Sequence, residues 1–156
     1  FIMGKHSSSK VYDGFSVVFR QWKAETTHCR FVHGYGVSFK VWFEGELDDR
    51  NWVWDFGSAK RSKTLIDGKT PKEWMSYMFD HTMIIAEDDP YRQAFEQMGA
   101  AEVAQVRILP AVGAEKFAEY VYEKLNGWVV EESEGRVKVA QVEFREHEKN
   151  NASFRP

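Results

Sequence analysis

The sequence predicts an α+β domain, an antiparallel sheet with helices on one face. Three observations predict it: a clean period-two run from Val37 to Glu44, a helix start written into Thr70-Pro71-Lys72-Glu73, and a helical apolar repeat beginning at Ala114. The segments follow in the order strand, hairpin, helices, strand, helix, strand.

Residues 1–10 read as a flexible lead-in and residues 11–156 as one domain. Tyr12 to Phe19 is a short β-prone run, and the polar stretch from Arg20 to Thr27 is a loop reaching to Cys29. Between Val37 and Glu44, Val37, Phe39, Val41 and Phe43 share one face and Ser38, Lys40, Trp42 and Glu44 the other, the alternation of a half-buried strand. After the charged turn from Glu46 to Asn51, Trp52 to Phe56 reads as a second strand that pairs with the first as a hairpin.

Thr70 is a helix cap, Pro71 occupies the first helical position where no amide bond is lost, and Glu73 completes a capping box; the helix should stop near Phe79. Asp89-Pro90 opens a short helix that Gly99 closes, and Val103 to Leu109 is a strand. Phe117, Tyr120, Val121 and Leu125 mark the main helix, with Asn126-Gly127 as its expected end. From Arg136 to Glu146 alternation returns, placing Ala140, Val142 and Phe144 on one face with Glu146 continuing it.

A chain of 156 residues buries a core without staples. Its 43% hydrophobic and 29% charged residues are those of a soluble globular protein, and 15% aromatic residues suggest stacking surfaces or subunit contacts as well as core. The net charge of −3 argues against nucleic acid or an anionic membrane as the main partner. One cysteine forms no internal disulfide, and without an apolar run of membrane-spanning length or a signal-peptide pattern the chain reads as cytoplasmic.

Three groups carry possible chemistry. Cys29 stands beside His28 and four residues before His33, so it is either a thiol activated by an imidazole or a small buried hydrophobe. Asp80-His81 is either a general acid-base pair or a helix-end cap. Glu146 opens a polar run through Asn151; it is either part of a solvated charge cluster or a carboxylate that accepts two parallel N–H bonds from a guanidine-like ligand edge.

Six motifs in register resemble the 6-pyruvoyl-tetrahydropterin synthase and 6-carboxytetrahydropterin synthase family. They are Phe-Ser-Val-Val-Phe at 15–19, Cys-Arg-Phe-Val-His-Gly-Tyr at 29–35 and Trp-Val-Trp-Asp-Phe-Gly at 52–57. Phe-Asp-His at 79–81, Ala-Val-Gly-Ala-Glu-Lys-Phe-Ala at 111–118 and Val-Glu-Phe-Arg-Glu-His at 142–147 complete the set. The resemblance implies the tunnelling fold, in which subunits associate through their sheets into a barrel as trimers or hexamers with active sites at subunit contacts. It also implies 7,8-dihydroneopterin triphosphate as substrate, Cys29 as base, Asp80 and His81 as proton-transfer partners, and Glu146 as the pterin anchor.

The departures concern the metal. The family holds zinc with three histidines, and the corresponding positions here read Phe19, His33 and Tyr35. Only His33 keeps a ligand of the family type, since phenylalanine has no lone pair and a phenol holds its proton to about pH 10. No family-type zinc site is expected: zinc is absent or bound differently, and a different site built on His28, His33 and Cys29 or a carboxylate is the alternative. Where the family has Pro-Thr-x-Glu before its main helix, Val112-Gly113-Ala114-Glu115 lacks the threonine and keeps Glu115 as a substrate contact. The implied activity is a pterin-processing lyase of the carboxytetrahydropterin synthase type; the rival is a metal-free diverged relative that binds a similar heterocycle with other or no chemistry.

Overall fold

The structure, a computed structural model, describes residues 4–156. Its centre is an antiparallel ribbon of two long strands, β1 (His6–Phe19) and β2 (His33–Gly45). Against β2 lies β5 (Val137–His147), and against β5 lies β6 (Asn150–Phe154), both antiparallel. On the far side of β1 two short strands, β3 (Thr82–Ala86) and β4 (Val106–Leu109), add in parallel, giving the order β4-β3-β1-β2-β5-β6. The expected α+β class holds, with a parallel extension at one edge.

Four helices complete the chain: α1 (Ser58–Arg61), α2 (Pro71–Phe79), α3 (Arg92–Ala100) and α4 (Ala114–Glu132). The alternation in β2 is as expected, with Val37, Phe39, Val41 and Phe43 all buried. They meet an aromatic cluster supplied by both layers: Phe39 lies 4.8 Å from Phe79, and Phe117 lies 5.2 Å from Phe144 and 4.9 Å from Phe19. Each such pair adds about 0.5–1.5 kcal/mol beyond area burial, so this cluster fixes how α2 and α4 sit on the sheet. The Thr70 capping box on α2 is present in both directions.

Four expectations are corrected. Residues 6–10 are not a lead-in: His6 to Lys10 pair with Gly45 to Val41, because ladder hydrogen bonds need only backbone and the serines there carry no apolar signal. Residues 1–3 of the expected lead-in lie outside the described residues. Trp52 to Phe56 is not a strand, since both edges of β2 are already taken by β1 and β5; Val53 and Trp54 instead plug the core, with Trp54 stacked on Phe43 at 5.2 Å.

The main helix does not end at Asn126-Gly127 but runs on to Glu132, burying Trp128 and Val129. Asn126 turns its side chain to the sheet, where its Oδ1 accepts the Val139 amide at 2.9 Å. In β5 a bulge at Ala140 shifts the phase, so Val137 and Val139 are buried before it and Val142 and Phe144 after it. Thr82–Ala86 and the joining of β6 to β5 carried no sequence expectation.

Candidate active site

The site forms where β2 begins. Gly34 passes so close to β1 that a Cβ there would sit 2.2 Å from the Val17 carbonyl oxygen, so glycine is required between His33 and Tyr35. The two flanking side chains then project to the same side of the strand, two residues apart. His33 Nδ1 is 2.7 Å from the Phe31 carbonyl oxygen, which fixes the hydrogen on Nδ1 of the neutral ring and leaves Nε2 to accept the Tyr35 phenol at 2.5 Å.

Phe19 is buried against this pair, its ring 5.3 Å from that of Tyr35 and edge-on to Phe117. Phe19 offers no lone pair, the Nε2 of His33 is occupied by a phenol, and its Nδ1 faces a carbonyl. These side chains do not fit the three-histidine zinc site that the resemblance implies. Among the described residues no group of three or more His, Cys, Asp or Glu side chains is gathered closely enough to hold a metal ion, the alternative set with His28 included.

Around the pair stand the carboxylates and the thiol. Burial, reinforced by the nearby charges of Glu146 and Cys29, pushes the Tyr35 phenol above its ordinary value. Glu146, half-buried near the end of β5, is raised chiefly by burial and also by Glu115, with His147 and His33 opposing. Glu115 reaches this neighbourhood from the first turn of α4, where the helix N-terminus favours a carboxylate. Cys29, Glu115, Glu146, His33 and Tyr35 are therefore brought together by four separate segments.

Cys29 lies in a single helical turn, His28–Arg30, capped by Thr27, whose Oγ1 accepts the Cys29 amide at 3.2 Å. Its carbonyl accepts the Gln21 amide at 2.8 Å. The cysteine is exposed, which removes the reading of it as a buried hydrophobe.

Asp80 and His81 stand elsewhere in the chain. Asp80 Oδ1 accepts the Ser16 amide and lies 3.1 Å from His81 Nδ1; His81 has φ of 55° and its side chain is 78% exposed. Ser16 precedes Gln21, the residue holding Cys29, by five positions of extended chain, about 16 Å. β3 also flanks β1 on the side opposite β2. One subunit does not bring this pair to its own Cys29.

The family model for 6-pyruvoyl tetrahydropterin synthase matches residues 9–156. The chain belongs to that family. Its members are pterin-processing lyases, and the described fold is theirs: the 6-pyruvoyl tetrahydropterin synthase of Caenorhabditis elegans superposes with a TM-score of 0.65 at 20% identity, covering 100% of this chain and 99% of that one. An uncharacterized protein of Wolinella succinogenes gives 0.76 at 21% identity, over 98% and 99% of the two chains. The Plasmodium vivax synthase gives 0.61 at 14% identity, over 96% and 97%. No curated protein matches the sequence. No helix is long and apolar enough to cross a membrane among the described residues.

Proposed function

We propose that this family member is a lyase of the 6-carboxytetrahydropterin synthase type acting on 7,8-dihydroneopterin triphosphate, and that it works without the family's zinc. The observation that carries the reading is the convergence of Glu146, Tyr35–His33 and the exposed thiol of Cys29 at the mouth of β2. A half-buried carboxylate suits the two parallel N–H donors of a pterin edge, and Glu115 beside it contacts the same ligand. An exposed thiol beside that anchor is placed to take a proton from the pterin side chain, after which the triphosphate leaves as an anion and a two-carbon fragment is released.

Where zinc would polarise the side-chain oxygens, the Tyr35 phenol and the His33 ring offer hydrogen bonds. His81, oriented by Asp80, relays protons to the Cys29 site of another subunit. Its exposure and its distance from its own Cys29 support that arrangement, which makes the working unit a homo-oligomer with sites at subunit contacts. The small pterin is the partner, and neither nucleic acid nor membrane is required.

The second reading, a diverged relative that binds a pterin-like heterocycle with other or no chemistry, is favoured by the misfit between Phe19, His33 and Tyr35 and a zinc ion. Incubation with 7,8-dihydroneopterin triphosphate, followed by mass spectrometry, separates the two. The lyase reading expects triphosphate release and a shortened pterin side chain from the wild type and neither from Cys29→Ala. Neopterin bound but unaltered by the wild type would leave the second reading in its place.

A further inference from the structure

The loop that carries Cys29 is tied to a distant part of the chain through one side chain. Arg20 directly follows β1 and is 18% exposed, while the carboxylate of its partner Asp89 is fully buried. Its Nε donates to Asp89 Oδ2 at 2.7 Å and its Nη2 to Oδ1 at 2.8 Å, a two-pronged match between planar groups. Tyr91 and Phe95 flank the guanidinium, 5.5 and 6.0 Å from its carbon. Burial alone would raise Asp89, but the Arg20 fork and the Tyr91 amide outweigh it and hold the carboxyl below its usual range.

One prong is left over. Nη1 of Arg20 donates to the Arg30 carbonyl at 3.2 Å, while the next residue, Gln21, donates its amide to the Cys29 carbonyl at 2.8 Å. With Thr27 capping the Cys29 amide, the backbone on both sides of the cysteine is held and only the thiol is free. A second tie, from the Trp22 indole to Asp88 at 3.1 Å, fastens the same loop to the same turn. The acidic turn before α3 thus serves as the fixed point for the cysteine loop.

We infer that Arg20, locked by Asp89, is a positioning residue that sets where the Cys29 thiol stands relative to Tyr35 and Glu146. The inference rests on the proposed reading of Cys29 as the reacting group. Lysine does not replace arginine here, because a single ammonium on a flexible stem lacks the rigid fork that grips both carboxylate oxygens while reaching a carbonyl behind it. The pair therefore orders a loop that has few apolar contacts of its own, and a misplacement of about 1 Å at a reacting group costs up to 100-fold in rate.

The test compares wild type, Arg20→Lys and Asp89→Asn, the last standing in if the lysine variant does not fold. Folding is judged by near-UV circular dichroism, binding by neopterin titration, and the thiol by its rate of alkylation with iodoacetamide with and without neopterin. A folded variant is expected to bind neopterin within about twofold of wild type, to lose about 10- to 100-fold in kcat with KM little changed, and to lose neopterin protection of Cys29. Wild-type kcat and wild-type protection in a folded variant would overturn the inference. If the wild type itself converts no substrate, the lyase reading fails, and protection alone then decides: its loss in the variant upholds the positioning role, while its retention, or its absence from the wild type, overturns it.

Discussion

The phenol of Tyr35 donates to Nε2 of His33 across a single glycine, closing the one lone pair of that imidazole which a metal would use. Phe19 seals the pair from below. On this geometry the side chains at the family's zinc position bond to one another, and the site presents a hydroxyl and an imidazole to a ligand.

Tyr35→Phe should therefore lower kcat by about 10- to 100-fold, since it deletes the donor placed nearest the side-chain oxygens while keeping the ring packed on Phe19. Steady-state kinetics on the substrate measure it. Turnover equal to wild type would remove Tyr35 from the chemistry.

Glu146→Gln should lose pterin affinity, because an amide presents one acceptor where the ring edge needs two. The raised folded value of Glu146 adds a pH signature. Ligand affinity should fall as the pH drops through a midpoint above that of an ordinary glutamate, about 4.3. For stability the sign is opposite: the relative stabilisation is complete below the unfolded value and is lost as the pH rises through the folded one. Fluorescence titration across this window should show a slope in wild type and a flat profile in Glu146→Gln; equal slopes would contradict the role.

Mixing should reveal the shared site. Cys29→Ala and His81→Ala should each be inactive alone, yet regain part of wild-type activity when their subunits are dissociated and reassembled together, because some contacts then pair an intact Cys29 with an intact His81. No recovery in mixed oligomers would place Cys29 and His81 in one subunit's site or remove one of them.

The extension of α4 past Asn126-Gly127 makes two stability predictions of opposite sign. Gly127 is helical without a positive φ and has open space where a Cβ would go, so Gly127→Ala should stabilise by about 1 kcal/mol. Asn126→Ala should destabilise by about 1–3 kcal/mol by leaving the Val139 amide without its acceptor. Urea unfolding measures both, and a stabilised Asn126→Ala would deny the helix-to-sheet bond its role.

Much of this was legible in the sequence where side-chain pattern and structure share a cause. The β2 alternation and the Thr70 cap are written in residue types whose physics is local. Trp52 to Phe56 and the end of α4 misled because tertiary context decides them: β2 had no free edge left, and Asn126 had a partner in β5 that outweighed its preference for a helix end. Cys29, His33, Tyr35, Glu115 and Glu146 were recognisable singly, but nothing local shows that they converge. The Arg20–Asp89 fork joins residues 69 positions apart, and no spacing rule reaches that far.

The central claim, a pterin lyase that works without zinc, is tested most directly by one comparison. Protein stripped with a chelator and verified metal-free is incubated with 7,8-dihydroneopterin triphosphate, with and without added zinc, and the products are followed by mass spectrometry. The account predicts conversion by the metal-free protein at a rate that zinc does not raise. Conversion that appears only with zinc, or none under either condition, would contradict it.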